Sequence, residues 1–288
     1  MKRIAIAAAL STAACAVLEP PEAVGPALPH NIVAVTEDNV LVAFNAGQPQ
    51  RVARVGPVRG LQAGERVLGL DYRVARGVLY ALGSSGRIYT VDARSAEARA
   101  VGAPLAVALD GDEFGFDFNP AADRIRIVSD RGQNLRAHPD TGAAVDGDPA
   151  RDGIQPDGPL AYAAGDANAG RTPRIVAAGY TYNARDGKIT TNYAIDAAAG
   201  ALVMQGSKEG ATPAVSPNAG QLFTVGSLGI GRFASAGLDI SDVGNSAYAA
   251  VNALAGATRF YSVDLATGKA AFIGTVAGAR LRGIAIEP

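Results

Sequence analysis

Five times along this 288-residue chain a glycine opens a short run of the form Gly-apolar-x-apolar. The copies are Gly69-Leu-Asp-Tyr72, Gly115-Phe-Asp-Phe118, Gly179-Tyr-Thr-Tyr182, Gly237-Leu-Asp-Ile240 and Gly283-Ile-Ala-Ile286, and they start 46, 64, 58 and 46 residues apart. Strict alternation over so few residues is a strand signal. Its return at such intervals marks one supersecondary unit repeated about an axis. The chain is therefore restricted to an all-β ring of small sheets, a β-propeller.

Each opening strand is followed by further period-2 runs and turn residues. The first unit continues through Gly77–Leu82, Arg87–Val91 and Ala98–Val101, the second through Arg124–Val128 and Asn134–Ala137, and the fourth through Ala247–Val251, Arg259–Val263 and Lys269–Ile273. The 35 glycines and 16 prolines are spread without a G-X-Y period, as expected for many tight turns. The third unit, from about Arg174 to Phe223, is the least regular. Near the C-terminus, Gly283–Ile286 is an opening strand with nothing after it, whereas Asn31–Val35, Val40–Phe44 and Gln50–Val55 are later strands with no opener. Together they make one blade, so the sequence predicts a five-bladed propeller closed by pairing the C-terminal strand with the N-terminal strands, which hides the sheet edges. An open β-sandwich explains neither the five copies nor the split blade.

The first residues read as a targeting signal. Lys2 and Arg3 precede an apolar stretch, Ile4–Ala14, too short to span a bilayer. Ala14-Cys15-Ala16 offers an A-x-A cleavage site, giving a signal peptide over 1–16, a proline-rich tether over 17–30 and the propeller over 31–288. Cys15 offers a second route, lipoprotein processing with acylation of the cysteine, although Thr12 stands where a branched aliphatic is usual. The expected location is outside the cytoplasm, periplasmic or extracellular, with a membrane attachment only through lipid at Cys15. No cysteine remains for an internal disulfide.

Two constellations can carry chemistry. Asp71, Asp117 and Asp239 share one slot of the repeat, with Thr181 and Ala285 in the other two copies. Near the axis, converging carboxylates could hold a hard cation such as Ca²⁺; alternatively they accept backbone N–H groups or pair with nearby arginines. The second constellation is Arg124, Arg126, Asp130, Gln133, Asn134 and Arg136. It is open to two readings, an anion- or sugar-binding patch, or an ion-pair network that locks neighbouring blades. Unpaired, such arginines are costly between blades. The acidic stretches 110–113 and 146–152 lack the closing Glu of a calcium loop and read as surface turns.

Other chemistry is removed by subtraction. The two histidines, His30 and His138, lie in the tether and in a turn, no G-x-S-x-G elbow is present, and too few His and Cys exist for a zinc site. A net charge of −1 without a basic run gives no nucleic-acid footprint. Glycoside hydrolysis needs only two carboxylates, but the chain has no Trp on which to stack a sugar. The stretch Phe114–Arg136, with Leu79–Tyr89, resembles the bacterial domain-of-unknown-function family 4394 over roughly residues 31–286. The resemblance implies a secreted or surface-associated propeller-like domain and brings no activity or catalytic residue with it. The resulting expectation is an exported binding or interaction module for a small molecule, a glycan or an envelope protein. The alternative is a glycoside or lactone hydrolase using the axial carboxylates, with or without Ca²⁺.

Overall fold

Alternation at period 2 would give each strand two apolar faces only if both were covered, and five radiating sheets provide that cover. The computed structural model describes residues 22–278 and 280–288, and it contains twenty strands. In chain order these are β1 (Asn31–Thr36), β2 (Val40–Asn45), β3 (Ala53–Pro57), β4 (Val67–Arg73), β5 (Val78–Gly83), β6 (Ile88–Val91), β7 (Ala98–Val101), β8 (Phe114–Asn119), β9 (Arg124–Ser129) and β10 (Asn134–Ala137). They continue as β11 (Ala161–Tyr162), β12 (Ile175–Tyr180), β13 (Asn192–Asp196), β14 (Ala201–Gln205), β15 (Gln221–Ser227), β16 (Phe233–Ile240), β17 (Ala247–Ala253), β18 (Thr258–Val263), β19 (Ala270–Thr275) and β20 (Leu281–Ile286). The sheets are β4-β5-β6-β7 (blade 1), β8-β9-β10 (blade 2), β12-β13-β14-β15-β11 (blade 3), β16-β17-β18-β19 (blade 4) and β20-β1-β2-β3 (blade 5). The innermost strands touch in the cyclic order β4, β8, β12, β16, β20 and back to β4.

Closure follows the predicted route. Strand β20 pairs antiparallel with β1, setting Ile286 opposite Ile32, Ala285 opposite Val33 and Gly283 opposite Val35. The same strand β1 shows how alternation builds the core. Ile32 and Ala34 pack with Tyr248 and Phe260 of blade 4, while Val33 and Val35 pack with Tyr72 and Leu79 of blade 1. Five apolar clusters result, one at each blade interface. The seam between blades 2 and 3 holds only seven buried apolar residues, where each of the other four holds at least twelve. It is filled by polar groups instead.

The third copy of the repeat is displaced from its expected place. Strand β12 ends at Tyr180, and Gly179 pairs with Tyr193 just as Asp71 pairs with Tyr80 and Asp239 with Tyr248. The residue equivalent to the opening glycine is Ala177, so the copy is Ala177-Ala-Gly-Tyr180 and its Asp slot holds Gly179, not Thr181. Glycine at the next position but one, followed by Tyr-Thr-Tyr, imitates the motif two residues late. With Ala177 as the start, the third copy lies 62 residues from Gly115 and 60 from Gly237.

The segment ahead of β1 is docked rather than free over its described part. Asn45 exchanges hydrogen bonds with both the N–H and the carbonyl of Leu28 at 2.8 Å, Gln48 donates to the Gly25 carbonyl, and Glu22 accepts the N–H of Thr275 at 2.9 Å. The expected signal segment 1–16 and Cys15 lie outside the described residues. Among the described residues no helix is long and apolar enough to cross a membrane.

Candidate functional site

An innermost propeller strand has one paired edge and one edge turned to the axis, where its N–H groups have no ladder partner. Small residues let these strands approach. A Cβ on Gly115 would lie 2.6 Å from the Ala178 nitrogen, and one on Gly283 would lie 3.3 Å from the Gly69 Cα. The ring Gly69, Gly115, Ala177, Gly237 and Gly283 thus brings five backbones together around a space of only about 10 Å³, room for no more than a water. One turn of the pleat further, the next slot carries Asp71, Asp117, Gly179, Asp239 and Ala285.

The three aspartates serve the free edge of all five blades. Asp71 accepts the N–H of Tyr72 on its own strand and of Phe118 on blade 2, both at 2.7 Å. Asp117 accepts the N–H of Tyr180 on blade 3 at 2.9 Å. Asp239 accepts those of Ile240 and of Ile286 on blade 5, both at 2.6 Å. The five donors occupy the same repeat position, one per blade. Five of six carboxylate oxygens are engaged, and among the described residues no donor is directed at Oδ2 of Asp117. All three side chains are buried, and one oxygen from each lies within 4.8 Å of the others.

Among the described residues no nearby arginine pairs with this cluster. Arg73 turns instead to Asp123 and Asp140, and Arg126 to Asp157. Burial without a cation pushes the Asp71 carboxyl up to about 7, against the pull of its two N–H bonds. Burial, and after it the Asp71 and Asp239 carboxylates, raises Asp117 well above the usual carboxylate range. Burial followed by Asp71 does the same to Asp239. The Tyr182 phenol is likewise held protonated by its burial and by the field of the three aspartates.

The second constellation divides. Arg126, 2% exposed, donates to Asp157 at 2.7 Å, Asn134 at 2.8 Å, Asn218 at 2.6 Å and the Tyr180 hydroxyl at 3.2 Å. Arg136, opposite Arg126 in the β9–β10 ladder, forks onto the same Asp157 at 2.8 and 2.7 Å. Asn134 also binds the carbonyls of Gly158 and Pro217, which ties β10 to the loops of blade 3. Arg124 reaches only the carbonyls of its own turn, Ala122 and Asp123. These four residues come together. Asp130 and Gln133 do not join them. They sit at the hairpin end, where Asp130 accepts the N–H groups of Asp112 and Glu113, and Gln133 bridges the Asp110 N–H and the Ala108 carbonyl. In the two acidic stretches, Asp110 and Asp112 pair with Arg131, and Asp146 accepts the N–H groups of Asp148 and Gln155.

Sequence reasoning missed Asp157, Tyr180 and Asn218, the partners of Arg126. The available signal was the arginine itself, since a buried guanidinium requires a carboxylate. Nothing local distinguished Asp157 from Asp146, Asp148 and Asp152 nearby.

No curated protein matches the sequence. Among solved structures the chain is similar to a chain of the nidogen/laminin complex, at 13% identity over 90% of this chain and 98% of that one, TM-score 0.47. An engineered GH43 glycoside hydrolase with endo-xylanase and exo-arabinofuranosidase activity aligns at 12% identity over 84% of this chain and 49% of its own, TM-score 0.50. A Bacteroides thetaiotaomicron protein of unknown function aligns at 14% identity, covering 86% of this chain and 61% of that one, TM-score 0.45. At these identities the likeness is one of fold. The family model matches residues 40–285, and the chain belongs to the family described as "Domain of unknown function (DUF4394)".

Proposed function

We propose that this chain is an exported, non-catalytic binding module that acts through the surfaces of its blades rather than through the axis. One observation carries the reading: the axial carboxylates, the strongest catalytic candidates in the sequence, are spent on five backbone N–H groups. Removing any of those donors from a partner would orphan a buried polar group at a cost of about 1–3 kcal/mol. The triad is thus a hub that holds five blades in register. Calcium fits this donor set poorly, because Ca²⁺ takes 6–8 oxygen ligands and N–H groups already point at five of the six oxygens. Export rests on Lys2, Arg3 and the short apolar run Ile4–Ala14.

The rival reading, suggested by the fold shared with the GH43 enzyme, is a glycosidase. Its carboxylates would have to reach a sugar with the separations that retaining or inverting chemistry needs. These are buried behind a ring of touching backbones, and blade surfaces offer binding area instead. Incubation of the purified protein with panels of aryl glycosides, lactones and esters is expected to give no turnover, and Ca²⁺ titration calorimetry no saturable heat. Turnover abolished by Asp117→Asn, with the fold intact, would overturn the proposal.

A further inference from the structure

The polar seam between blades 2 and 3 contains more positive charge than its partners neutralise. Arg126 and Arg136 share a single carboxylate, Asp157, which is 1% exposed. Arg124 lies on the same face of β9 as Arg126 and has no carboxylate partner among the described residues. The nearest carboxylate in the chain, Asp123, is turned away and held by Arg73 through both oxygens. Three guanidinium groups therefore face one neutralising carboxylate.

Each of the three keeps spare donors. Of the five N–H donors of a guanidinium, Arg126 commits four, to Tyr180, Asn134, Asp157 and Asn218. Nη1 of Arg136 and Nη2 of Arg124 have no acceptor among the described residues. All three arginines line a cavity of about 230 Å³, which is also walled by Ala122, Tyr180 and Pro217. A deficit of negative charge next to a partly apolar cavity calls for an anion with an apolar body.

We propose that this cavity binds a small organic carboxylate, its two oxygens received by Arg124 and Arg136 and its body resting on Ala122 and Pro217. A carboxylate on an apolar body suits the site better than a phosphate, because a phosphate has no apolar part for the cavity wall. This deepens the binding-module reading and rests on it.

The test uses the whole purified protein at fixed ionic strength, with benzoate, acetate and inorganic phosphate as probes, read by calorimetry and by thermal shift. Benzoate is expected to bind saturably, more tightly than acetate, and to raise the melting temperature. Arg124→Ala breaks contacts only to its own turn, so it should fold normally and weaken benzoate binding about tenfold, the order expected for one charge-assisted hydrogen bond. Arg136→Gln should weaken it at least as much. Binding is expected to be unchanged in Arg94→Ala, a variant remote from this cavity. The absence of saturable binding by any probe, saturation by phosphate alone, or undiminished benzoate binding in Arg124→Ala would each overturn the proposal. None of these results bears on turnover or on the hub, so they leave the broader reading to its own assay.

Discussion

Oδ2 of Asp71 in blade 1 accepts the main-chain N–H of Phe118 in blade 2 at 2.7 Å, while Oδ1 of the same carboxylate takes the N–H of Tyr72. One side chain therefore completes the unpaired inner edges of two neighbouring sheets. Asp239 does the same for blades 4 and 5, and Asp117 serves blade 3 alone. The inequality between them has measurable consequences.

Asp71→Ala and Asp239→Ala each orphan two buried N–H groups, at about 1–3 kcal/mol per group, and should lower the urea midpoint of unfolding markedly. Asp117→Asn keeps an oxygen for Tyr180 and removes a buried carboxyl crowded by Asp71 and Asp239. Its expected stability is equal to or above that of the parent. Equal losses in all three variants would contradict the hub geometry.

The same cluster sets a pH dependence. Asp71 titrates at about 7 in the folded protein, against about 3.9 in an unfolded chain. The folded state thus binds more protons across that interval. Stability is greatest below the unfolded value and is lost as pH rises through the folded one. Melting temperature is expected to fall from pH 5 to pH 8, and the slope should lessen in Asp117→Asn, which removes a second carboxyl that burial raises.

Close approach at the axis predicts a contrast between two glycines. Gly115→Ala would drive a Cβ to 2.6 Å from the Ala178 nitrogen and 2.7 Å from the Ala177 carbonyl carbon, backbone that cannot swing aside. A loss of about 1–3 kcal/mol or more is expected from such overpacking. Gly187→Ala meets nothing within 4 Å and should be neutral by the same denaturation assay.

In the polar seam, removing the anion should cost more than removing one cation. Asp157→Ala leaves Arg126 and Arg136 facing each other uncompensated, and breaking a buried pair costs about 3–5 kcal/mol. Arg126→Met leaves Asp157 bound by Arg136 through both oxygens. It should lose less. Unfolding midpoints for the two variants give the comparison directly.

What the sequence disclosed depended on whether the signal was local. The alternating runs and the orphan strands at the two ends revealed five blades and their closure, because strand periodicity and turn chemistry are written within a few residues. The slot shared by Asp71, Asp117 and Asp239 was legible for the same reason. Its use was not, since the donors it serves are main-chain groups without a sequence signature. The third copy was misplaced because glycine is the most visible letter of the motif, and Ala177 performs that close approach without it. The partners of Arg126 lie 31 to 92 residues away at Asp157, Tyr180 and Asn218. Only the folded ring brings such distant segments together.

Blade 5 draws its inner strand from Leu281–Ile286 and the rest from residues before 58. During synthesis, then, strand β1 waits with an open edge while four other sheets are made, and the last acceptor bond at the hub, from Asp239 to Ile286, has no donor until that point. An emerging chain can assemble blades one by one but closes its inner ring only when translation has passed Ile286. Commitment to the native state is thereby deferred until Ile286 has been made.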